Sequence, residues 1–245
     1  MKRIFLFSTL FILLGLVPAQ TAARARTIKG SGVMRTETRE AGRYTGLKVA
    51  RGVAATIVES DSEKLVVEAD EKIIGHVVTT IDKQGVLLLT IDPEIDNIRD
   101  CDVRISVPKP EVLQSLTATS GGRVTCRTVV NTPTLNVRTT SGAHAEIACE
   151  GDGCTLSATS GSEIKANLAV GRCAIEAHSG AEINVKGVAE ECKINAMSGA
   201  TCKARNLLTR RTEARASSGG SVSYWGDCRL VGFKKNLTGS VTHKR

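Results

Sequence analysis

Between Leu116 and Tyr224 apolar and polar residues alternate, and a Ser-Gly pair interrupts the alternation at even intervals. The pairs are Ser120-Gly121, Ser141-Gly142, Ser160-Gly161, Ser179-Gly180, Ser198-Gly199 and Ser218-Gly219, followed by a relative, Thr238-Gly239. Successive spacings are 21, 19, 19, 19, 20 and 20 residues, a fixed-period repeat. Counted from each Ser, the positions four and two before it are apolar or small, from Leu116 and Ala118 to Ala214 and Ala216. Positions four and six after it are too: Val124, Ala145, Ile164, Ile183, Cys202 and Val222, then Cys126, Ile147, Ala166, Val185, Ala204 and Tyr224. Odd positions are mostly polar. Period-two alternation on both sides of the pair predicts two half-buried strands per repeat.

Two strands and two corners within about twenty residues leave no room for a helical crossover, so successive units stack in parallel register ~4.8 Å apart. The predicted fold is all-β, a right-handed parallel β-helix. Gly accepts a positive φ at the corner and lets the next coil approach closely, so Gly161 is expected between two crowding neighbours. The Ser is read as structural. Six equivalent nucleophiles would serve no purpose. Length variation is expected in the second corner, where Val129–Thr134 is longer than Glu150–Gly153, Ala169–Arg172 or Val188–Glu191. Gly171 there should tolerate change.

Upstream, Lys2 and Arg3 precede the apolar run Ile4–Val17 and the small residues Pro18 and Ala19. This reads as a signal peptide over residues 1–19, with Ala23 or Ala25 as later cleavage points. Residues 20–43 read as a mobile basic leader. Gly46–Ile57 has the shape of a repeat, with Arg51 in the place of Ser. Further alternating stretches at Lys64–Ala69, Val77–Ile81, Val86–Ile91 and Asp102–Val107 read as irregular coils over residues 44–110, with one helical turn near Glu71–Gly75. Residues 111–245 carry the regular repeats, and the two segments meet near Pro108–Pro110.

Tyr44–Val49 leading to Gly52-Val53, Glu68–Asp70 with Val77–Thr79 after it, the Val86–Ile91 strand and the Ser-Gly array together resemble the family of bacterial exported proteins called putative auto-transporter adhesin, head GIN domain. The resemblance runs from about Gly30 to Arg245. It implies a β-helical fold at or outside the cell envelope, with adhesion as the family's name, and brings no catalytic residues to carry over. This chain departs from the commonest form in its many cysteines and its basic charge.

The formal net charge of +8 suits contact with anionic surfaces or glycans, but the Lys and Arg are scattered. Without basic residues interleaved with aromatic ones, nucleic-acid binding is not expected. The eight cysteines include no CxxC, so neither a metal nor a cofactor is expected. Cys154, Cys173 and Cys192 share one offset and should stack inward as thiols, with a disulfide between two stacked cysteines as the alternative, since neighbouring coils fall within bridging distance; Cys126, Cys149 and Cys202 also fall on even offsets. After the apolar leader the aromatics are Tyr44, Tyr224, Trp225 and Phe233, three of them by the last coil, which they are expected to close.

A candidate binding patch lies at the third position after the Ser, where Arg123, His144, Glu163 and Glu182 should stack, flanked by Glu146 and Lys165. Glu163 and Glu182 could stand ~5 Å apart, the separation of a retaining glycosidase pair. A flat face, however, offers no burial to split their pKa values. The sequence thus points to an exported, non-enzymatic β-helix in the periplasm or at the cell surface, with an adhesive or envelope-structural role. A surface glycan or protein is the expected partner, and no integral membrane segment is expected after signal cleavage. The alternatives are a polysaccharide lyase or glycoside hydrolase, or a secreted binder of anionic glycans.

Overall fold

In a computed structural model, residues 26–225, 229–236 and 238–244 are described; the expected signal peptide lies outside them. The N-terminal part contains β1 (Thr27–Lys29), β2 (Met34–Glu40), β3 (Gly46–Val49), β4 (Ala54–Val58), β5 (Lys64–Asp70), β6 (Val77–Ile81), β7 (Val86–Ile91), β8 (Asn97–Arg99) and β9 (Val103–Pro108). The regular array follows as β10 (Ser115–Ala118), β11 (Arg123–Asn131), β12 (Thr134–Thr139), β13 (His144–Ala158), β14 (Glu163–Ala177), β15 (Glu182–Met197), β16 (Thr201–Ser217), β17 (Ser221–Trp225), β18 (Arg229–Asn236) and β19 (Ser240–Lys244). Its neighbours are parallel throughout, so the molecule is a β-solenoid.

Register follows the sequence period. Leu47, Leu116, Val137, Leu156, Ile175, Ile194 and Ala214 form one inward column, each directly above the next. All are buried. Each large aliphatic side chain so placed contributes roughly 1.5–3 kcal/mol, and small residues in the neighbouring columns keep the core thin. The Arg51-Gly52 pair repeats the corner conformation, so β3 and β4 form the first coil beneath β10 and β11.

The N-terminal end is closed differently. β7 and β9 pair parallel to β3 and β4, and β5 and β6 then add antiparallel to β9 and β7. The described part of the expected mobile leader, from residue 26 on, forms strands: β1 pairs with β8, and β2 runs antiparallel along β5. What mattered was an edge to pair with, not composition. Met34–Glu40 is mostly exposed and charged, which suits an outermost strand that must not recruit another chain. Among the described residues the one helical turn is Ile74–His76. Tyr44 is buried, and its hydroxyl donates to the Pro108 carbonyl at 2.6 Å, tying the start of the first coil to the end of β9.

Three expectations change. The second corner is no loop: β13, β14, β15 and β16 run unbroken through it. Extra residues enter as bulges elsewhere, between Thr125 and Val129 in β11 and between Lys203 and Asn206 in β16. Pairing Ser221 with Ser240 sets Thr238 opposite Gly219, one place out from the Ser-Gly series.

Candidate functional site

At the fixed corner both residues are left-handed. The six serines have φ between 49° and 55°, and Gly121, Gly142, Gly161, Gly180, Gly199 and Gly219 lie between 66° and 77°. Two successive positive φ values are the pattern of the tight type I′ turn, whose twist matches that of strands. In the first five corners the Gly N–H donates to the Ser carbonyl of the next coil, as from Gly161 to Ser179 at 3.1 Å. The expected crowding is absent: a Cβ on Gly161 would meet nothing within 4 Å. Backbone angle, not space, selects Gly here. The corner is a structural ladder.

The candidate patch is brought together as register predicted. Arg123, His144, Glu163 and Glu182 pair in succession, and Glu146 pairs with Lys165. Five of the six line a shallow hollow of about 220 Å³; Glu182 does not. Glu163 accepts from both sides, with His144 Nδ1 at 3.1 Å from Oε2 and Lys165 Nζ at 3.2 Å from Oε1. Glu182 turns to Lys203 Nζ at 2.6 Å and Asn184 Nδ2 at 2.8 Å, both on Oε1. Those two donors, Lys203 first, hold its carboxyl below the usual value. A proton-donating glycosidase acid needs the opposite shift.

A larger groove, of about 570 Å³, opens beside this patch and runs along the solenoid axis. Glu146, Lys165, Asn184 and Lys203 form one wall and Ala148, Asn167, Lys186 and Asn206 the other, each column in register, and Arg205 adds to them from the β16 bulge. At its far end Arg205 lies 5.2 Å above the Trp225 ring, in a second hollow of about 300 Å³ that shares Lys203 and Arg205. Exposed Val188 and Leu208 flank the groove on the other side. Sequence reasoning stopped five residues after the Ser, so it missed Asn167, Lys186 and Arg205. Carrying the odd-offset count two residues further would have found them. Tyr224 is buried and stacks on His243 with centroids 4.8 Å apart, as expected of a closing ring, whereas Trp225 is half-exposed. The side chain of Phe233 lies outside the described residues.

Cys154, Cys173 and Cys192 stack inward in register, and Cys173 Sγ lies 2.9 Å from Cys192 Sγ. Cys149 and Cys202 are also buried, while Cys126 is half-buried beneath the groove. Burial pushes the thiols of Cys126 and Cys202 up to about 12. The Cys154 thiol is raised by its hydrogen bond to Cys149 and then by burial, so it behaves as a small core side chain. Cys228 lies outside the described residues. Among the described residues no three His, Cys, Asp or Glu side chains converge on a possible metal position, and no helix is long and apolar enough to cross a membrane.

Solved structures share this architecture. A putative adhesin from Parabacteroides distasonis is 14% identical, with a TM-score of 0.75 over 89% of this chain and 100% of its own. One from Parabacteroides merdae is 16% identical, with a TM-score of 0.75 over 90% and 100%. A protein from Parabacteroides distasonis named a putative lipid binding protein is 17% identical, with a TM-score of 0.77 over 90% and 100%. At these identities the likeness is one of fold. No curated protein matches the chain. Residues 43–229, most of the solenoid, match the model of one family: the chain belongs to the putative auto-transporter adhesin, head GIN domain family.

Proposed function

We propose that the protein is exported and acts as an adhesive module without catalytic activity, holding a ligand of a cell surface or matrix against the outside of its solenoid. The observation that carries this reading is the open axial groove, lined by long cationic and amide side chains on a rigid ladder. Rigid β-columns hold such groups in place before a ligand arrives, which lowers the ordering cost of binding. The ionised, lysine-paired Glu182 supports binding over hydrolysis. The apolar run Ile4–Val17 behind Lys2 and Arg3 supports export, with about the first nineteen residues removed on the way.

Two measurements test the reading. Mass spectrometry of the protein recovered outside the cytoplasm should find a chain beginning near Gln20; a chain retaining Met1 would remove the export step. The purified protein should bind a subset of immobilised glycans or matrix proteins, and Lys186→Gln with Arg205→Gln should weaken that binding at least tenfold. Uniform absence of binding, or turnover of any polysaccharide, would overturn the adhesive assignment.

A further inference from the structure

We propose that the groove takes a linear acidic glycan, a chain of sugar rings bearing carboxylates at intervals. This names the ligand class of the adhesive site and rests on that reading. The first argument is shape. From the coil of Glu146 to that of Trp225 there are four coil steps, about 19 Å at the usual strand spacing. A site that repeats once per coil along a straight axis suits a polymer that repeats along its own axis.

The second argument is charge. Lys165 and Lys203 are committed to Glu163 and Glu182. Among the described ion pairs none involves Lys186 or Arg205, though both are exposed at the groove. Arg205 Nε donates to Ser223 Oγ at 3.5 Å and its guanidinium lies over Trp225, but neither cation is paired with a carboxylate in a described ion pair, and two such cations among carboxylates fit discrete negative groups. They do not fit a uniformly anionic surface, which Glu146 in the groove and Glu163 and Glu182 beside it would repel. Arg also presents a fork that matches a carboxylate bidentately.

The third argument is the chemistry between the charges. Asn167 and Asn206 are exposed and Asn184 half-exposed, and each amide both donates and accepts, as a row of sugar hydroxyls requires. Trp225 adds an aromatic surface where the groove ends, beside Arg205. The bulge between Lys203 and Asn206, absent from β15, sets Arg205 beside that ring. A second bulge, between Thr125 and Val129, lies at the opposite end, by Cys126. Two of the register shifts in the described array thus fall at the two ends of the groove, and a third, between Leu230 and Gly232, lies in β18. A solenoid binding surface is expected to vary where it meets its ligand.

Trp225 is the one tryptophan in the chain, so intrinsic fluorescence reports on this site alone. The purified protein is titrated with short oligouronates built on galacturonate, glucuronate or mannuronate, with the methyl ester of each, and with phosphatidylglycerol vesicles. The expected result is a saturable fluorescence change with at least one oligouronate and at least tenfold weaker binding of its uncharged ester. By calorimetry, Lys186→Gln and Arg205→Gln each weaken binding about tenfold or more at an unchanged thermal midpoint, while Lys64→Gln on β5 does nothing. Equal binding of acid and ester, no oligouronate binding, insensitivity to both groove substitutions, or binding to vesicles in place of oligouronates overturns the proposal. Competition separates it from the adhesive reading. Surface binding that oligouronates fail to displace removes the ligand class and leaves adhesion; oligouronate binding without any cell or matrix binding does the reverse.

Discussion

Thr139 and Ser162 show how much one position in a repeat can depend on another. Thr139 stands in an inward column otherwise occupied by Ala118, Ala158, Ala177, Ala196 and Ala216. Its hydroxyl is buried and lies 2.9 Å from that of Ser162, in a column where the neighbouring coils carry Ala143 and Ala181. Ser162 Oγ also accepts the Thr159 N–H at 3.1 Å. Removing one partner buries an unanswered hydroxyl, at a cost of about 1–3 kcal/mol; removing both restores the alanines of adjacent coils and can be nearly neutral. Ser162→Ala alone should therefore destabilise by about that amount, and Thr139→Ala with Ser162→Ala by clearly less than the sum of the singles. A double-mutant cycle in denaturant measures the coupling, and additive losses would show that the two hydroxyls act independently. Both positions were legible as inward from the alternation. The hydrogen bond was not, because it joins different offsets on adjacent coils.

At the scale of the strand and its corner, two glycines of different kinds separate conformation from space. Gly161 has φ +66° with open space around an added Cβ. Gly187 has φ +113°, and a Cβ there would overlap the Leu168 backbone carbonyl; it sits in register between Leu168 and Leu207 on the two adjacent coils. Gly161→Ala should cost about 1–2 kcal/mol, the ordinary left-handed penalty. Gly187→Ala must also move a central ladder and should cost about 3 kcal/mol or more. Thermal unfolding of both variants decides it, and a Gly161 loss equal to the Gly187 loss would contradict the geometry. The expectation that Gly161 is crowded and Gly171 free does not survive, since a Cβ on Gly171 would come within 3.0 Å of the Asp152 carbonyl.

The pattern of what was readable follows from this. Alternation and period specify which residues face inward and which coils meet, so the solenoid, its register and the stacking of Arg123, His144, Glu163 and Glu182 were all in the sequence. Strands β1 and β8 were not read, whereas β3 to β7 and β9 at the N-terminal end were. Their antiparallel order and the pairing of Met34–Glu40 were not, because a charged edge strand looks like a leader until its partner is known. Bulges escape period counting for a related reason: the spacing shows that a residue was added, not where. The pairing of Asn206, not Arg205, with Lys186 was lost with it, while Asn167, Lys186 and Arg205 were missed because the odd-offset count stopped too early.

Across the whole molecule the ladder is continuous, so stability depends on its ends. The C-terminal end is covered by β17 and β19, with Tyr224 stacked on His243. The N-terminal end depends on Asp70, the last residue of β5. Its buried carboxylate accepts the backbone N–H groups of Ser31 and Gly32 at 2.7 Å on Oδ2 and of Lys72 at 2.9 Å on Oδ1. These bonds fix the chain where it passes from β1 into β2. The Lys72 N–H first, then those of Gly32 and Ser31, hold the Asp70 carboxyl below its ordinary value against the opposing effect of burial. An unfolded Asp titrates near 3.9, so this contribution is fully present above about pH 5. It is lost as the pH falls through the lower native value, because the unfolded chain takes the proton first. Acid should therefore loosen the N-terminal cap before the central coils. In hydrogen exchange corrected for intrinsic rates, residues 34–40 should lose protection on acidification to about pH 3 while residues 163–177 keep theirs. Asp70→Asn should loosen 34–40 already at neutral pH, since an amide cannot accept at both former oxygens. It should also blunt the acid response of that segment. Equal acid responses in Asp70→Asn and the parent, or loss of protection in the central coils first, would mean that something other than this carboxylate holds the end of the solenoid.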